Sequence, residues 1–343
     1  MSSQQARTRR VVRAPNHLGD VVAALPALVA DGSDVLVVRW LAPIVEMGVG
    51  AGEVIPFDRG LSGFARAVGE LRRRRYQEGI LLTPAFSAAW LLRCGGVGRL
   101  RGTTTDGRTP LLADRIPPEA LRPYHRINAY KLLLGQDSSG EPSAHRLVPD
   151  EARRERWRAA LGPSGPVVGL VPGSNAPARR WPVDRFATLA AALRARGARL
   201  VVMGGSRETP LTARVAGAVP GALDLGGRTD LADLAALLSV CDLVVTNDTG
   251  PMHLAGAVGT PTVSIWGPSD PEEVRQLGAP DIRVVGAPLP CKPCRRNHCH
   301  RRGVGTVLAQ AHEECMRQIE LEAVLEAVEA ALDASPDGGI ARA

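Results

Sequence analysis

The sequence predicts an α/β protein built from two doubly wound parallel-sheet domains in tandem. Short apolar runs alternate with segments that have the i, i+3, i+4 apolar spacing of helices, which is typical of βαβ units and of a parallel sheet covered on both faces. The pattern stops in a polar linker and then restarts, and a length of 343 residues gives room for two hydrophobic cores. Ligands of such domains bind at the carboxyl ends of the strands, so we expect a cleft between two facing sheets.

Four apolar runs predict strands in the first domain, at residues 9–15, 34–40, 52–58 and 78–84. The segments VVAALPALVADG, LAPIVEMGV and LSGFARAVGELRRRRY between them have helical spacing. The following segment QDSSGEPSAHRLVPD, residues 136–150, is rich in Ser, Pro and Gly and is typical of a linker. We therefore place the first domain at 1–145.

The second half repeats the alternation and predicts a second domain at 146–318. Its strand candidates are PVVGLVPG, ARLVVMGG, GALDLGG, DLVVTND and TPTVSIWG. Its helix candidates are VDRFATLAAALRARG, TPLTARVAGAVPG and LADLAALLSVCD. The last segment, 319–343, contains the amphipathic pattern IELEAVLEAVEAALDAS and is expected to pack back across the domain junction.

Composition favours a soluble globular protein whose positive charge is almost entirely arginine. The formal net charge is +7, yet only Lys131 and Lys292 are lysines. Arginine suits bidentate binding of phosphate, although the high Ala, Arg, Gly and Pro content is equally consistent with the coding bias of a GC-rich genome. Aromatic residues make up only 3%, and the arginine run at 72–75 is typical of a solvated helix end or, less so, of a contact with an anionic membrane. A nucleic-acid partner is therefore not predicted.

The first residues do not resemble a signal peptide, because Asp20 and Pro26 interrupt the apolar run after the basic start. No segment approaches the roughly 18 apolar residues of a membrane span. We expect a cytoplasmic protein, with peripheral contact at the inner face of the cytoplasmic membrane as a further hypothesis. The oligomeric state does not follow from the sequence.

The six cysteines fall into two groups. Cys94 and Cys241 lie alone in apolar surroundings and are predicted to be core residues. The other four have the spacing C-x2-C-x4-C-x15-C, with three histidines nearby; they are Cys291, Cys294, Cys299 and Cys315, with His298, His300 and His312. In a cytosolic chain this spacing favours a structural zinc site, with unligated thiols as the second interpretation and disulfides as the third.

The stretch NDTGPMHLAGAVG follows a predicted buried strand and starts a helix. Asn247, Asp248, Thr249 and Gly250 therefore lie in a strand-to-helix turn, with His253 one turn further on. Because a helix start offers unpaired N–H groups and a partial positive charge, this turn can hold a diphosphate. The alternative is that Asp248 or Thr249 is only a helix N-cap and that His253 is an ordinary half-buried residue.

A second turn, VPGSNAPARRWP, also follows a strand and is basic. Gly173 and Ser174 would let a phosphate approach the backbone, and Arg179 and Arg180 could neutralise a pyrophosphate. A solvated arginine pair is the alternative interpretation. After the next strand, Glu208 is a candidate acceptor for ribose hydroxyls, although a glutamate at a helix start is common.

In the first domain the stretch APNHLGDVVAALPAL has the form of a strand end, a glycine turn and a helix. Asp20 stands at the start of that helix and is expected to face the cleft, but this stretch by itself favours an N-cap or first-turn acid. Asn16, His17 and Gly19 precede it in the same turn.

Together these stretches resemble a known family. PNHLGDVVAALPAL, PGSNAPARRWP, NDTGPMHLAGAVGTPTVSIWGPSDP and the cysteine segment occur in the order and approximate spacing of glycosyltransferase family 9. That family includes the ADP-heptose:lipopolysaccharide heptosyltransferases. The resemblance spans nearly the whole chain, and the D-T-G-x-x-H block with the trailing G-P-x-D-P is specific.

The resemblance implies a GT-B fold of two Rossmann-like domains, the first for the acceptor and the second for the nucleotide sugar. It implies an inverting transfer of a heptose or related sugar from an ADP-sugar to a hydroxyl of a glycan, lipopolysaccharide-core or small-molecule acceptor, with no catalytic metal. Asp20 would be the general base, and Asn16, His17 and Gly19 would contact the acceptor. Contacts to the donor diphosphate would come from Arg179, Asp248, Thr249, Gly250 and His253.

Two departures from the family pattern affect the acceptor and the diphosphate contacts. Arg179 stands where lysine is usual, which keeps the charge but changes the geometry. His17 stands where many members carry tryptophan.

Two alternative functions stay open: a glycosyltransferase that uses another NDP-sugar on a secondary metabolite, and a non-catalytic protein that binds sugar nucleotides.

Overall fold

All nine strands that the sequence predicted are present in the computed structural model, which describes residues 9–48, 50, 52–286, 288–299 and 314–334. The chain divides into two units, Met1–His145 and Arg146–Ala343. Each unit contains one six-stranded parallel sheet with helices between its strands. The predicted α/β class with two doubly wound domains is therefore confirmed.

The sheet of the first unit has the strand order β3-β2-β1-β4-β5-β6. Its strands are β1 Arg10–Arg13, β2 Asp34–Val38, β3 Val54–Phe57, β4 Glu78–Leu81, β5 Arg99–Thr103 and β6 Asp114–Ile116. Its α-helices are α1 Leu18–Asp31, α2 Ala42–Glu46, α3 Leu61–Arg74, α4 Phe86–Cys94 and α5 Arg126–Leu134. Short 3-10 helices occupy Arg39–Leu41, Thr109–Leu111 and Pro118–Leu121.

The sheet of the second unit has the order β12-β11-β10-β7-β8-β9. Its strands are β7 Val167–Val171, β8 Arg199–Val202, β9 Leu223–Asp224, β10 Leu243–Asn247, β11 Thr262–Trp266 and β12 Asp281–Val285. Its α-helices are α6 Glu151–Leu161, α7 Val183–Ala195, α8 Thr209–Ala216, α9 Leu231–Leu238, α10 Gly250–Val258, α11 Pro271–Val274, α12 Glu314–Arg317 and α13 Leu321–Asp333. Two 3-10 helices lie at Pro177–Arg179 and Ser206–Glu208.

The helix α13 belongs to the core of the second unit. Val324, Val328 and Leu332 recur at the i, i+4 spacing of one helix face, and all three are fully buried with residues of the central strands and of α7. The sequence predicted that this segment packs across the domain junction. The structure places its apolar face in the core of the second unit, and packing across the junction stays a prediction.

The sequence missed strands at the outer positions of both sheets, because these carry charged residues. In β5, RLRGT, Arg101 is satisfied by the carbonyl oxygens of Leu132 and Leu133, at 3.1 and 2.7 Å. The strand β12, DIRVV, has no fully buried residue. Helix α6 was missed for a similar reason, since it has no buried residue and therefore no apolar stripe.

One of the two isolated cysteines lies in the core, as the sequence predicted. Cys241 is buried, and burial raises the pKa of its thiol to about 12, whereas Cys94 is only half-buried.

The arginine run at 72–75 begins within α3, which ends at Arg74, and Arg74 forms ion pairs with Glu53 and Glu70. The run is therefore the solvated helix end that the sequence favoured. No helix within the described ranges is long and apolar enough to cross a membrane.

Each sheet has one position where the strand order reverses. In the first unit it lies between β1 and β4, and in the second it lies between β7 and β10. In open α/β sheets, ligands bind outside the carboxyl ends of the strands at this point. The loops that carry the candidate site residues, after β1, β7 and β10, all begin there.

Candidate active site

In the first unit, Asp20 lies in the first turn of α1 with its carboxylate held by the neighbouring helix α5. The Tyr130 hydroxyl donates to Asp20 Oδ1 at 3.0 Å. Arg126, one turn earlier on α5, places Nη1 3.8 Å from the same oxygen. The side chain of Asp20 is 32% exposed, and no residue in the described ranges donates to its second oxygen, Oδ2. The carboxylate is thus fixed on one side and open on the other.

The capping interpretation of Asp20 is wrong. The residue at the N-cap of α1 is His17, and its side chain makes no capping hydrogen bond. Asp20 lies three residues into the helix, where its negative charge is favoured by the helix dipole. The carboxylate points to α5 instead of to the amides of its own first turn.

The candidates Asn16, His17 and Gly19 surround this carboxylate in sequence but have different environments. The Asn16 amide donates to Thr83 Oγ1 at 3.3 Å and so joins the loop after β1 to the end of β4. His17 is exposed, and Gly19 is half-buried. Of the three, His17 offers the most accessible side chain for a second substrate.

A buried arginine that the sequence did not single out supports this loop. Arg13, the last residue of β1, is only 3% exposed and donates to Asn16 Oδ1 at 2.5 Å and to the carbonyl oxygen of Ala14. Burial, together with the charge of Arg59, lowers the pKa of Arg13 to about 9. Its guanidinium packs on the ring of Phe57, 4.7 Å from the centroid. An arginine at a strand end is common, so no sequence signal separates this one from a surface residue.

In the second unit, Asp248 and Arg179 form an ion pair beneath the start of α10. Arg179 Nη1 lies 3.0 Å from Asp248 Oδ2, and the two side chains are 28% and 4% exposed. The pair joins the loop after β7 to the loop after β10, which are the two loops at the switch point. Asp248 is therefore not an N-cap, and its side chain is too buried to be a main contact of a ligand. Its carboxylate instead holds the Arg179 guanidinium in position.

Asn247 also joins these two loops. Its Oδ1 accepts from the backbone N–H of Trp181 at 2.9 Å, and its Nδ2 donates to the carbonyl oxygens of Pro172 and Gly173 at 3.0 and 3.2 Å. The side chain is fully buried. The sequence placed Asn247 among the donor-binding residues, but every polar atom of its amide group is already used inside the protein. Asn247 can therefore shape a donor site by holding these two loops together.

The start of α10 has the properties expected of an anion site. Thr249 is its N-cap residue and makes no side-chain capping hydrogen bond, and Pro251 follows within the first turn. Thr249, Gly250 and His253 are half-buried. The first backbone N–H groups of the helix therefore lack a cap from Thr249, and together with the helix dipole they favour a bound phosphate.

The loops after β7 and β8 meet at Glu208. The carboxylate lies so close to Gly173 that a Cβ atom there would stand 2.1 Å from Oε1. Glu208 Oε2 also accepts from the backbone N–H of Gly205 at 2.8 Å. The structure thus brings together two residues that the sequence proposed separately for the donor.

Arg180 lies against the same loop but makes no ion pair within the described part of the chain. Its Nε and Nη2 donate to the carbonyl oxygen of Ser174 at 2.9 and 2.7 Å. Burial lowers the pKa of Arg180, and Glu208 is the nearby acid. Ser174 is buried, and its hydroxyl accepts from the N–H of Ala176. Ser174 therefore orders the loop, while Arg180 keeps a positive charge beside it.

The cysteine cluster does not take the form of a metal centre in the described residues. Cys315 is buried in the core of the second unit, whereas Cys291, Cys294 and Cys299 are half-buried in the segment 288–299. No group of three or more His, Cys, Asp or Glu side chains within these ranges could hold a metal ion. His298 is exposed, and His300 and His312 lie outside the described residues. The described residues therefore form no zinc site, and because two of the nearby histidines lie outside them, the zinc site stays a prediction.

Comparisons with known proteins agree with this fold. The profile of glycosyltransferase family 9 (heptosyltransferase) matches residues 64–304. Lipooligosaccharide heptosyltransferase 2 of Haemophilus influenzae is 26% identical over 280 residues, which cover 75% of this chain and 81% of that protein.

Two solved structures show the same fold. ADP-heptose lps heptosyltransferase II of E. coli has a TM-score of 0.77 and 22% identity, covering 94% of this chain and 98% of that one. E. coli heptosyltransferase WaaC with ADP has a TM-score of 0.67 and 18% identity, covering 94% and 99%. Since the family profile spans more than half of the sequence and the architecture is that of the solved heptosyltransferases, the chain belongs to glycosyltransferase family 9 and is a glycosyltransferase.

Proposed function

We propose that the chain is an inverting heptosyltransferase that moves heptose from ADP-heptose to a hydroxyl of a lipopolysaccharide-core glycan or a related acceptor. The observation that carries the proposal is the difference between the two switch points. The first presents a carboxylate with one open oxygen, and the second presents a cation and uncapped helix amides. A displacement at an anomeric carbon needs a base on the nucleophile and positive charge on the leaving group.

In the proposed reaction the acceptor hydroxyl attacks the anomeric carbon while the diphosphate leaves from the opposite face. Asp20 Oδ2 accepts the hydroxyl proton as the new C–O bond forms. The bond between the anomeric carbon and the phosphate oxygen breaks, and its electron pair leaves with ADP. The single displacement inverts the configuration of the sugar.

The second unit would bind and stabilise the leaving ADP. Arg179, held by Asp248, and the first amides of α10 would stabilise the charge that develops on the diphosphate. Arg180 and His253 add positive charge or hydrogen-bond donors. Glu208, beside Gly173, would accept hydrogen bonds from the ribose hydroxyls.

The donor identity rests on the relatives. The solved heptosyltransferase WaaC was obtained with ADP, and the Haemophilus influenzae relative is a lipooligosaccharide heptosyltransferase. The acceptor side differs in detail, because His17 is exposed at the N-cap of α1 where many family members carry tryptophan.

A donor screen tests the proposal. The enzyme would be incubated with a heptose-deficient lipopolysaccharide-core acceptor and, separately, with ADP-heptose, UDP-, GDP- and dTDP-sugars, and the released nucleotide would be measured. We expect ADP release that depends on the acceptor and a product whose anomeric configuration is inverted by NMR. Release of a different nucleotide, or a retained configuration, would contradict it.

A further inference from the structure

The Asp20 carboxylate is contacted by the phenol of Tyr130, a residue that lies outside the sequence motif. Tyr130 is 5% exposed, and its hydroxyl donates to Asp20 Oδ1 at 3.0 Å. Burial, and then the negative charge of Asp20, raise the pKa of Tyr130 well above its ordinary value. The phenol therefore keeps its proton and remains a hydrogen-bond donor at neutral pH.

Arg126 strengthens the same contact from the same face of α5. It lies one helical turn before Tyr130, with Nη1 3.8 Å from Asp20 Oδ1, and it also interacts with the phenol. Both groups approach Oδ1, and Oδ2 accepts from no residue in the described ranges. Because α5 packs along α1, the pair fixes the carboxylate plane and leaves one oxygen free for a substrate.

A second phenol and carboxylate pair in the same unit shows what a purely structural contact looks like. The Tyr76 hydroxyl donates to Asp34 Oδ2, and Asp34 Oδ1 accepts from the N–H of Glu53 at 3.1 Å. Arg9 and Arg74 lie 3.8 and 3.7 Å from Oδ2. Both oxygens of Asp34 are thus used inside the protein, at the amino end of β2. Within the described part of the chain, Asp20 uses one oxygen, and it lies at the carboxyl edge of the sheet.

We infer that Tyr130, supported by Arg126, is a positioning residue that holds Asp20 so that Oδ2 receives the proton of the acceptor hydroxyl. The inference rests on the proposed function, because it assigns a role in the same displacement. Proton balance is simple: the hydroxyl proton moves to Oδ2, the phenol proton stays on Tyr130, and the electron pair of the broken C–O bond leaves with ADP. Tyr130 acts through Asp20 and does not touch the substrate.

The role predicts a change in turnover that donor binding does not share. The charged or hydrogen-bonding side chains that contact Asp20 in the described residues are Tyr130 and Arg126, and both lie on α5 of the first unit. Neither belongs to the loops of the second unit that are proposed to bind ADP. Loss of the phenol should therefore lower kcat and leave the KM for ADP-heptose unchanged.

The test compares Tyr130→Phe with Tyr76→Phe, which removes the same kind of hydrogen bond away from the site. For Tyr130→Phe we expect kcat to fall about 10-fold while the KM for ADP-heptose stays unchanged. Tyr76→Phe should alter thermal stability alone. An unchanged kcat in Tyr130→Phe would overturn the inference.

Two further measurements keep the inference testable if Tyr130→Phe is poorly folded or if the acceptor assay fails. Arg126 is about half exposed, so Arg126→Gln should fold; it should lower kcat without changing the KM for ADP-heptose, and Arg126→Lys should restore kcat. A crystal structure of Tyr130→Phe needs no turnover and should show the Asp20 carboxylate displaced from α5. If the carboxylate keeps its position in that structure, the positioning role is wrong even where Asp20 itself proves essential.

Discussion

Asp20 and Asp248 occupy similar places in the sequence and very different places in the structure. Each follows a strand at the switch point of its sheet and stands at the start of a helix. Asp20 is 32% exposed, with one oxygen held by Tyr130 and the other contacted by no donor among the described residues, whereas Asp248 is 4% exposed and paired with Arg179.

The difference teaches that the surroundings, more than the motif, decide what a carboxylate in such a turn can do. An open oxygen at the protein surface can accept a proton from a substrate. A buried carboxylate beside a guanidinium instead fixes the position of the cation, because separating the pair would leave a charge without a partner in the protein interior. The first acid is suited to be a base, and the second is suited to be an anchor.

The largest effect is expected from Asp20→Asn. The amide cannot accept the hydroxyl proton, so kcat should fall by about 10²- to 10⁴-fold while ADP binding, measured by calorimetry, stays close to that of the wild type. Asp248→Asn serves as the contrasting variant and should affect donor binding more than kcat. A near wild-type rate in Asp20→Asn would show that this residue is not the base. The proposed contrast between Asp20 and Asp248 would then be wrong.

Arg179→Ala is expected to have the next largest effect, because it acts in two ways. It removes a positive charge from the diphosphate site, which should weaken ADP binding by about 10- to 100-fold. It also leaves the buried Asp248 carboxylate unpaired, which should lower the free energy of unfolding by about 2 kcal/mol, allowing for the partial exposure of Arg179.

The double variant Arg179→Ala with Asp248→Asn separates these two effects. Removing the carboxylate should recover most of the stability, measured by urea denaturation, but none of the ADP affinity. Arg180→Ala is the matched control, since Arg180 has no ion pair in the described residues. If the double variant remained as unstable as Arg179→Ala, Asp248 would not be the anchor of this cation.

Gly173→Ala tests the donor loop on a smaller scale. A Cβ atom would stand 2.1 Å from Glu208 Oε1, so the carboxylate must move away from the loop. If Glu208 binds the ribose, ADP affinity should fall by about 3- to 10-fold while the affinity for inorganic pyrophosphate stays unchanged. Equal losses for both ligands would indicate that the diphosphate contacts themselves had been disturbed.

The smallest effect is expected from chelation. Arg179 and the amides of α10 are proposed to stabilise the charge of the leaving diphosphate without a metal ion. EDTA should therefore leave kcat unchanged. Elemental analysis of the same preparation tests the separate prediction that the cysteine cluster binds zinc. Although the described residues form no metal site, a stoichiometric metal would support that prediction. A loss of kcat on chelation would contradict the metal-free mechanism.

Much of the fold could be predicted because buried parallel strands and amphipathic helices have strong apolar patterns. The strands β7, β10 and β11 are buried at every position and appear as short uninterrupted apolar runs. The outer strands β5 and β12 could not be predicted, because their charged residues are satisfied by partners distant in sequence, such as Arg101 by the end of α5.

For the site, the motifs predicted which loops matter but not what each side chain does. Asn247 was expected to bind the donor and instead joins two loops through its buried amide. Tyr130 lies 110 residues from Asp20, and Arg13 is at the end of a strand like many surface arginines. Neither could be identified from local sequence, because their importance comes from contacts that only folding creates.

The sequence by itself determined two parallel α/β sheets, the loops at their carboxyl ends and membership of a glycosyltransferase family, because periodicity, glycine turns and motif order are local properties. Only the tertiary structure decided that Asp20 has one oxygen open and that Asp248 is buried against Arg179. Exposure and pairing depend on which helices and loops pack beside each turn, and those neighbours come from distant parts of the chain.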